Sequence, residues 1–500
     1  LTVAAIAATG CANGAGNWTT LANSITTDNR VALPDGGDAG SVSAVQADAA
    51  PPNAELAQVS SVSAGDGASA ESVSDAGDGA SSSHFVWWRT DNGVDPGGQD
   101  TAVDVAIDAH GRAVVLARMA GNAFGLLAYN ADGTLAWTGS YRDPADDADL
   151  PAKVAIDGAG NVYAAGSWQQ NSTPLGGFLV ASFDPTGAFR WSARSDAGGA
   201  LADVAVDGAG HVVVTGNGSD GTHTLARTIE YDNAGNVTWV ASELGPFGLG
   251  ATGFAVAIDS NAHVYVAGQS NDGSHNHVTL FAYGPSGTLL WASPSQDDPI
   301  HVPQTTAQAL ALDLAGTPHV AVARAFRDTQ DDDPVVQLAV SRYDTSGQIS
   351  WTAIVDPETR NIATAMAIDP QGRVTVTGFA GSPSPDSYLT AQVDSTGQVL
   401  WTDRYGWQAP GEHQARGLAL DRAGNAYVTG TAYGSDGVAR FGTIGYDPNG
   451  QAFFRELDGD PSHASSLAAT LVLDPNSGVY VVGSILSDPQ GLVGLLKLSH

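Results

Sequence analysis

Three groups of side chains in this 500-residue chain have the types and spacing for chemistry. Asp104, Lys153 and Asp203 occupy one position of a recurring phrase, an acid–base–acid row suited either to proton transfer or to a structural ion pair. Pairing is the simpler reading, because charge networks are common without catalysis. Arg118 and Arg324 end two copies of that phrase where six other copies end in Gly, and a guanidinium there suits bidentate capture of an anion. The competing reading is that these two copies have merely diverged. His223, His275, His277 and His301, with Asp297 and Asp298, offer imidazole and carboxylate to zinc or another transition ion, against plain solvent-facing loop histidines. No close ligand motif joins them. Trp168, Trp407 and Tyr433 are expected to be exposed and to offer a stacking surface to carbohydrate.

The elements that position these groups follow from repetition. "VAIDGAGNVYAAG" (154–166) recurs as "VAVDGAGHVVVTG" (204–216), "VAIDSNAHVYVAG" (256–268), "MAIDPQGRVTVTG" (366–378) and "LALDRAGNAYVTG" (418–430), with three more divergent copies. Its aspartates stand at 108, 157, 207, 259, 313, 369, 421 and 474, at spacings of 49 to 56 residues. A second phrase follows seven of them, as in "FDPTGAFRW" (183–191), closed by Trp137, Trp191, Trp239, Trp291, Trp351, Trp401 and, in the seventh, Phe454. Four short strand patterns per unit of about 50 residues predict a β-propeller of four-stranded antiparallel blades. Strand a is the "VAID" run, b the "NVYVAG" run, c the apolar run before "DPTG", and d the run ending near Trp. The a–b and c–d turns, rich in Asp, Asn, Gly and Pro, fall on one face. The longer and varied b–c and d–a loops fall on the other, where binding usually resides. Small residues two before seven of the eight Asp, with Val472 the exception, and branched ones just before each, predict a crowded inner strand with one small face. In an eightfold ring Arg118 and Arg324 are diametrically opposed.

The eighth copy ends in "LVGLLKLSH" with no outer strand, and one strand pattern is unclaimed: "HFVWWRT", 84–90. It is expected to complete the blade begun at 466–500, leaving no unpaired edge. Either Trp87 or Trp88 then takes the wedge position. Residues 84–500 thus form the propeller. Residues 12–83, rich in Ala, Ser, Gly and Asp, read as a disordered tether.

The repeat phrase resembles the bacterial β-propeller repeat often called the seven-bladed propeller repeat, and the NHL-type repeat in strand order, although eight units are present. "D-x-[TS]-G-x-x-x-W" at Asp184–Trp191, Asp344–Trp351 and Asp394–Trp401 resembles the tryptophan-docking repeat of eight-bladed quinoprotein propellers and of the outer-membrane assembly lipoprotein propeller. The adjacent cysteines of the quinoproteins are absent: Cys11 is the one cysteine. "LTVAAIAATGC" (1–11) resembles the end of a bacterial lipoprotein signal, which implies lipidation at Cys11. The alternative is an ordinary signal-peptide remnant; either implies export, to the outer membrane, the cell surface or the medium.

A formal charge of −33, from 20 basic and 53 acidic residues, disfavours nucleic acid and anionic membranes. The acidic loops admit calcium without requiring it. These features describe an exported, all-β, eight-bladed propeller, monomeric and anchored to the membrane only through Cys11. It would serve as a binding scaffold for a protein or carbohydrate ligand. The alternatives are a propeller enzyme (lyase, hydrolase or quinoprotein) working at the channel mouth, and a structural cell-surface protein.

Overall fold

The computed structural model describes residues 85–91, 100–119, 121–143, 148–170, 175–196, 198–295, 304–326, 335–356, 361–381, 387–407, 411–459, 465–476, 478–486 and 491–499. The tether and Cys11 lie outside them. The described residues form strands and turns only: thirty-two strands in eight four-stranded antiparallel sheets. In blade one, strand a is Thr101–Ile107, b Ala113–Met119, c Ala123–Tyr129 and d Leu135–Tyr141. Blades two to seven repeat that order. In blade eight, strands Ser465–Leu473, Val479–Leu486 and Gly491–Leu498 are completed on the outside by Phe85–Asp91. The register sets Trp87 opposite Lys497 and Trp88 opposite Leu496. The first described strand is therefore the last of the ring, as the unclaimed run at 84–90 predicts.

The core is not one mass but eight apolar slabs, one between each pair of neighbouring blades. The inner strands show how they are built. Ala106, Ala155, Ala311 and Ala367, two before the turn Asp, enter the slab shared with the following blade. Ile107, Ile156, Leu312 and Ile368, one before it, enter the slab shared with the preceding blade. The small face looks forward and the branched face backward, so inner strands nest at close range.

Every strand a also carries a register break, between Ala102 and Asp104 in blade one and at the equivalent place in the other seven. One extra residue, such as Val103 or Arg416, bulges there, and the alternation of faces restarts beyond it.

One oxygen of each repeat aspartate caps the a–b turn. Oδ1 of Asp157 accepts the N–H groups of Ala159 and Asn161 at 2.9 and 2.8 Å. The other seven accept the same pair of N–H groups. The second oxygen takes a partner that differs by blade: Arg112, Asn161 with Tyr163, His211, His263, Arg342, Arg373, Asn425 with Tyr427, and Lys497.

The outer-strand tryptophans lock each blade to the next. Trp137, Trp191, Trp291 and Trp351 donate their indole N–H to a carbonyl in the following blade's c–d turn, at 2.9–3.1 Å. Each of these indoles lies against a turn glycine of positive φ, where a Cβ would stand within 3 Å of the ring: Gly187, Gly235, Gly347 and Gly397. Trp239 and Trp401 lie over turn glycines too, Gly287 and Gly450, and stack on Tyr283 and Tyr446, at 5.8 and 5.5 Å between centroids. Trp87 takes this position in blade eight, donating to Ala131 O at 3.3 Å and lying over Gly133 of blade one. Trp88 faces the other way, against Phe441 of blade seven.

Candidate binding face

Around the axis, the three charged side chains of strand a do come to equivalent places. Each stands just past the bulge of its blade. The bulge leaves the next backbone N–H turned toward the preceding blade, and two of the carboxylates meet it. Asp104 Oδ2 accepts the Val154 N–H at 3.0 Å, and Asp203 Oδ2 accepts the Val256 N–H at 2.8 Å. In blade seven the same position is Gly417, where an added Cβ would meet the Leu471 nitrogen at 2.8 Å. Burial pushes the Asp104 carboxyl upward, opposed by the Lys153 charge and by the Val154 and Val105 N–H groups. Asp104 and Asp203 are thus stitches between inner strands, made through backbone N–H groups. Lys153 stays partly exposed beside Asp104.

On the loop face, Arg118 is half-buried at the end of strand b of blade one. Its Nε and one Nη donate to Asn122 Oδ1 at 3.1 and 2.6 Å. Arg324 lies in strand Pro318–Phe326 of blade five, opposite Thr305 and Gln337, and its side chain is outside what is described. The opposed-arginine expectation therefore rests on Arg118 alone.

The histidines do not gather. His223 pairs with Asp220 of its own b–c loop at 3.2 Å. His275 and His277 share Asp272 of theirs, at 3.8 and 3.0 Å. His277 also packs on Phe247, 4.9 Å between ring centres. His301, Asp297 and Asp298 lie outside the described residues, among which no three His, Cys, Asp or Glu side chains converge as a metal set. Each loop pairs its own imidazoles locally, so the three described histidines, His223, His275 and His277, do not converge.

The aromatic expectation needs correction for two of three residues. Trp168 is 8% exposed, donates to Ser195 O at 2.9 Å, and has the Arg194 guanidinium 3.4 Å over its ring. Trp407 is 5% exposed, edge-on to both Tyr388 and Tyr405. Trp168 lies in strand Val162–Gln169 and Trp407 just past strand Val399–Tyr405, each packed into a slab, and burial there removes their faces from a ligand. Tyr433 remains half-buried beside His413.

Asp458 went unmarked in the sequence. It ends strand Ala452–Asp458 of blade seven, is 1% exposed, and has no hydrogen-bond partner on either oxygen among the described residues; Glu456, two residues back, is buried too. The signal was legible: Phe454, Glu456 and Asp458 alternate, so the carboxylates share the wedge face. Burial, and then the Glu456 charge, push the Asp458 carboxyl up to about 7. The folded state therefore holds this proton more tightly than the unfolded chain. Its contribution to stability falls as pH rises from the ordinary carboxylate range to about 7, and is level above that. Asp458→Asn should raise Tm at pH 8 and leave it nearly unchanged at pH 4; melts at both values check this, and an equal shift at the two would remove the assignment.

Residues 401–437, from Trp401 through the first two strands of blade seven, match the beta-propeller repeat family. No curated protein matches the chain. Solved structures similar to it include the C-terminal WD40 domain of Sif2, at 10% identity and TM-score 0.49, over 80% of this chain and 96% of that one. The polysaccharide lyase Uly1 is similar at 11% identity and TM-score 0.41, over 79% and 89%. A protein from Bacteroides caccae is similar at 14% identity and TM-score 0.34, over 62% and 94%. No activity follows from likenesses of this degree. The eight sheets, the recurring turn aspartates and the match in blade seven together make this chain an eight-bladed β-propeller carrying the beta-propeller repeat.

Proposed function

We propose that the protein is an exported, lipid-anchored propeller that serves as a binding scaffold, its ligand docking on the face of b–c and d–a loops. The observation that carries this reading is the contrast between the two faces. All eight a–b turns are closed by the same aspartate chemistry. The opposite face varies around the ring: Arg118 on Asn122, Arg194 over Trp168, Arg404 on Asp356, Arg440 on Asp436, with an Asp–His turn common to blades three and four. A uniform face carries the fold, and a varied face carries recognition. An enzyme at the channel mouth would need a converging acid, base and electrophile. The inner carboxylates best placed for that, Asp104 and Asp203, are engaged with backbone N–H groups instead.

Photo-crosslinking in cells tests the face. A benzoylphenylalanine at Thr222, Ser274 or Ser435 on the loop side is expected to give ligand adducts. The same residue at Ala209, Asn261 or Ala423 on the turn side is expected to give none. Adducts from the turn side alone would overturn the proposal. The anchor has its own test: metabolic labelling with an alkynyl fatty acid is expected for the full chain and lost in Cys11→Ser.

A further inference from the structure

Strand b of blade one turns Val114 and Leu116 into the slab shared with blade two, and alternation points Arg118 the same way, at the slab's loop-side mouth. Trp168 of blade two belongs to the same slab. Among the described residues the Arg118 fork is held on one side only. Its side-on edge is fixed by Asn122 Oδ1. Asn122 sits in the left-handed region at φ 58°, and its carbonyl accepts the Asp149 N–H at 2.8 Å, so the support is itself tied down. The end-on edge, formed by the two terminal nitrogens, meets no acceptor among the described residues.

The two described carboxylates of the adjoining d–a segment, Asp143 and Asp149, are otherwise engaged. Asp149 Oδ2 accepts the Asp143 N–H at 2.6 Å, and Asp143 stands 3.8 Å from Arg194, which covers Trp168. Other arginines of this chain do find an acid: Arg112 with Asp108, Arg373 with Asp369, Arg404 with Asp356, Arg440 with Asp436. In a protein with 53 acidic and 20 basic residues, this half-buried guanidinium has a neutral amide and no counter-ion among the described residues. Burial also draws its pKa down. Partial desolvation of an unpaired charge opposes folding, so the arrangement persists at some cost to stability.

We infer that the end-on edge of Arg118 is the docking point for a single carboxylate of a protein partner, an Asp or Glu side chain or a chain terminus, entering the mouth between blades one and two. The inference rests on the loop face being the ligand face. A planar carboxylate matches the two parallel N–H groups of that edge. An acidic sugar would call for an open aromatic face beside the guanidinium, and Trp168 is covered by Arg194.

The test uses the propeller with Arg118→Met and Arg118→Lys variants. Crystals soaked in 4-bromobenzoate should show bromine anomalous density beside Arg118, and those soaked in neutral 4-bromobenzamide should not. Affinity for the benzoate should fall by about 30-fold or more in Arg118→Met, and by less in Arg118→Lys. In carboxylate-free buffer Arg118→Met should melt at or above the wild-type temperature, since it removes an unpaired charge. A clear drop in Tm would make Arg118 a structural residue and overturn the inference. So would benzoate density elsewhere, or equal binding of the benzamide. Tighter binding of a galacturonate trimer than of an Asp-containing peptide would overturn the protein half of it. Loop-face crosslinks that survive unchanged in Arg118→Met would remove this docking point and leave the scaffold reading standing.

Discussion

Deleting Phe85–Asp91 is expected to leave a protein that associates in solution and no longer unfolds in one cooperative transition. The strand supplies the outer ladder of blade eight, from Phe85 opposite Leu498 to Asp91 opposite Val493. It also supplies two tryptophans, 7% and 4% exposed, that enter different slabs. Truncating a buried Trp costs about 3–5 kcal/mol. Two such losses, about 6–10 kcal/mol, compare with the whole stability of an ordinary domain. The Gly491–Leu498 strand would be left as an open edge, the template on which a second chain adds. Light scattering coupled to size exclusion, with a thermal melt, checks both halves. A deletion variant that stays monomeric and melts like the wild type would show that blade eight closes in another way. Single substitutions divide the effect. Trp87→Ala should loosen the contact with blade one, through Gly133 and Ala131, whereas Trp88→Ala should loosen that with blade seven, through Phe441.

The second large effect is expected at the glycines under the indoles. Gly450 has φ 82°, and a Cβ there would stand 2.5 Å from Trp401. Gly437, in the b–c turn of the same blade, has φ 76° and nothing within 4 Å of the added carbon. Gly437→Ala should therefore cost only the left-handed backbone term, about 1–2 kcal/mol. Gly450→Ala should cost that and an overpacking term of about 1–3 kcal/mol more. Urea melts of the two variants isolate the tryptophan contact as their difference. Equal losses would mean that the indole yields without resistance and the lock between blades is slack.

Much of this molecule was legible in its residues, and the limits have physical causes. The turn aspartates and closing tryptophans recur because each blade solves the same two problems, turning a tight corner and gripping its neighbour, so blade number and ring closure could be read. The bulge of strand a could not. An extra residue shifts the alternation without changing composition, and so Asp104 and Asp203 looked like a charged row before they proved to cap the next blade's N–H groups. The choice between Trp87 and Trp88 depended on a bulge as well, between Phe85 and Trp87. Trp168 and Trp407 were misjudged because their burial is decided by residues distant in sequence, Arg194 for one and Tyr388 for the other. Arg118 was singled out because it broke a pattern. Which edge of its guanidinium is occupied is a property of the Asn122 turn alone.

The pairing of Trp88 with Leu496 also sets a clock. The two are about 400 residues apart, so at 5–20 residues per second a ribosome takes roughly 20–80 s to deliver the partner of a strand it made first. Closing a chain of that span is slow in refolding as well, because the loop entropy is spent before the ladder forms. Seven blades can condense in order as they emerge, each on the one before. The eighth cannot, and until it does the chain presents a pair of tryptophans at one end and an open strand edge at the other. Ring closure is thus the expected late step in the biogenesis of this protein. An excess of free peptide 85–91 during refolding, by occupying that edge, should trap the ring open.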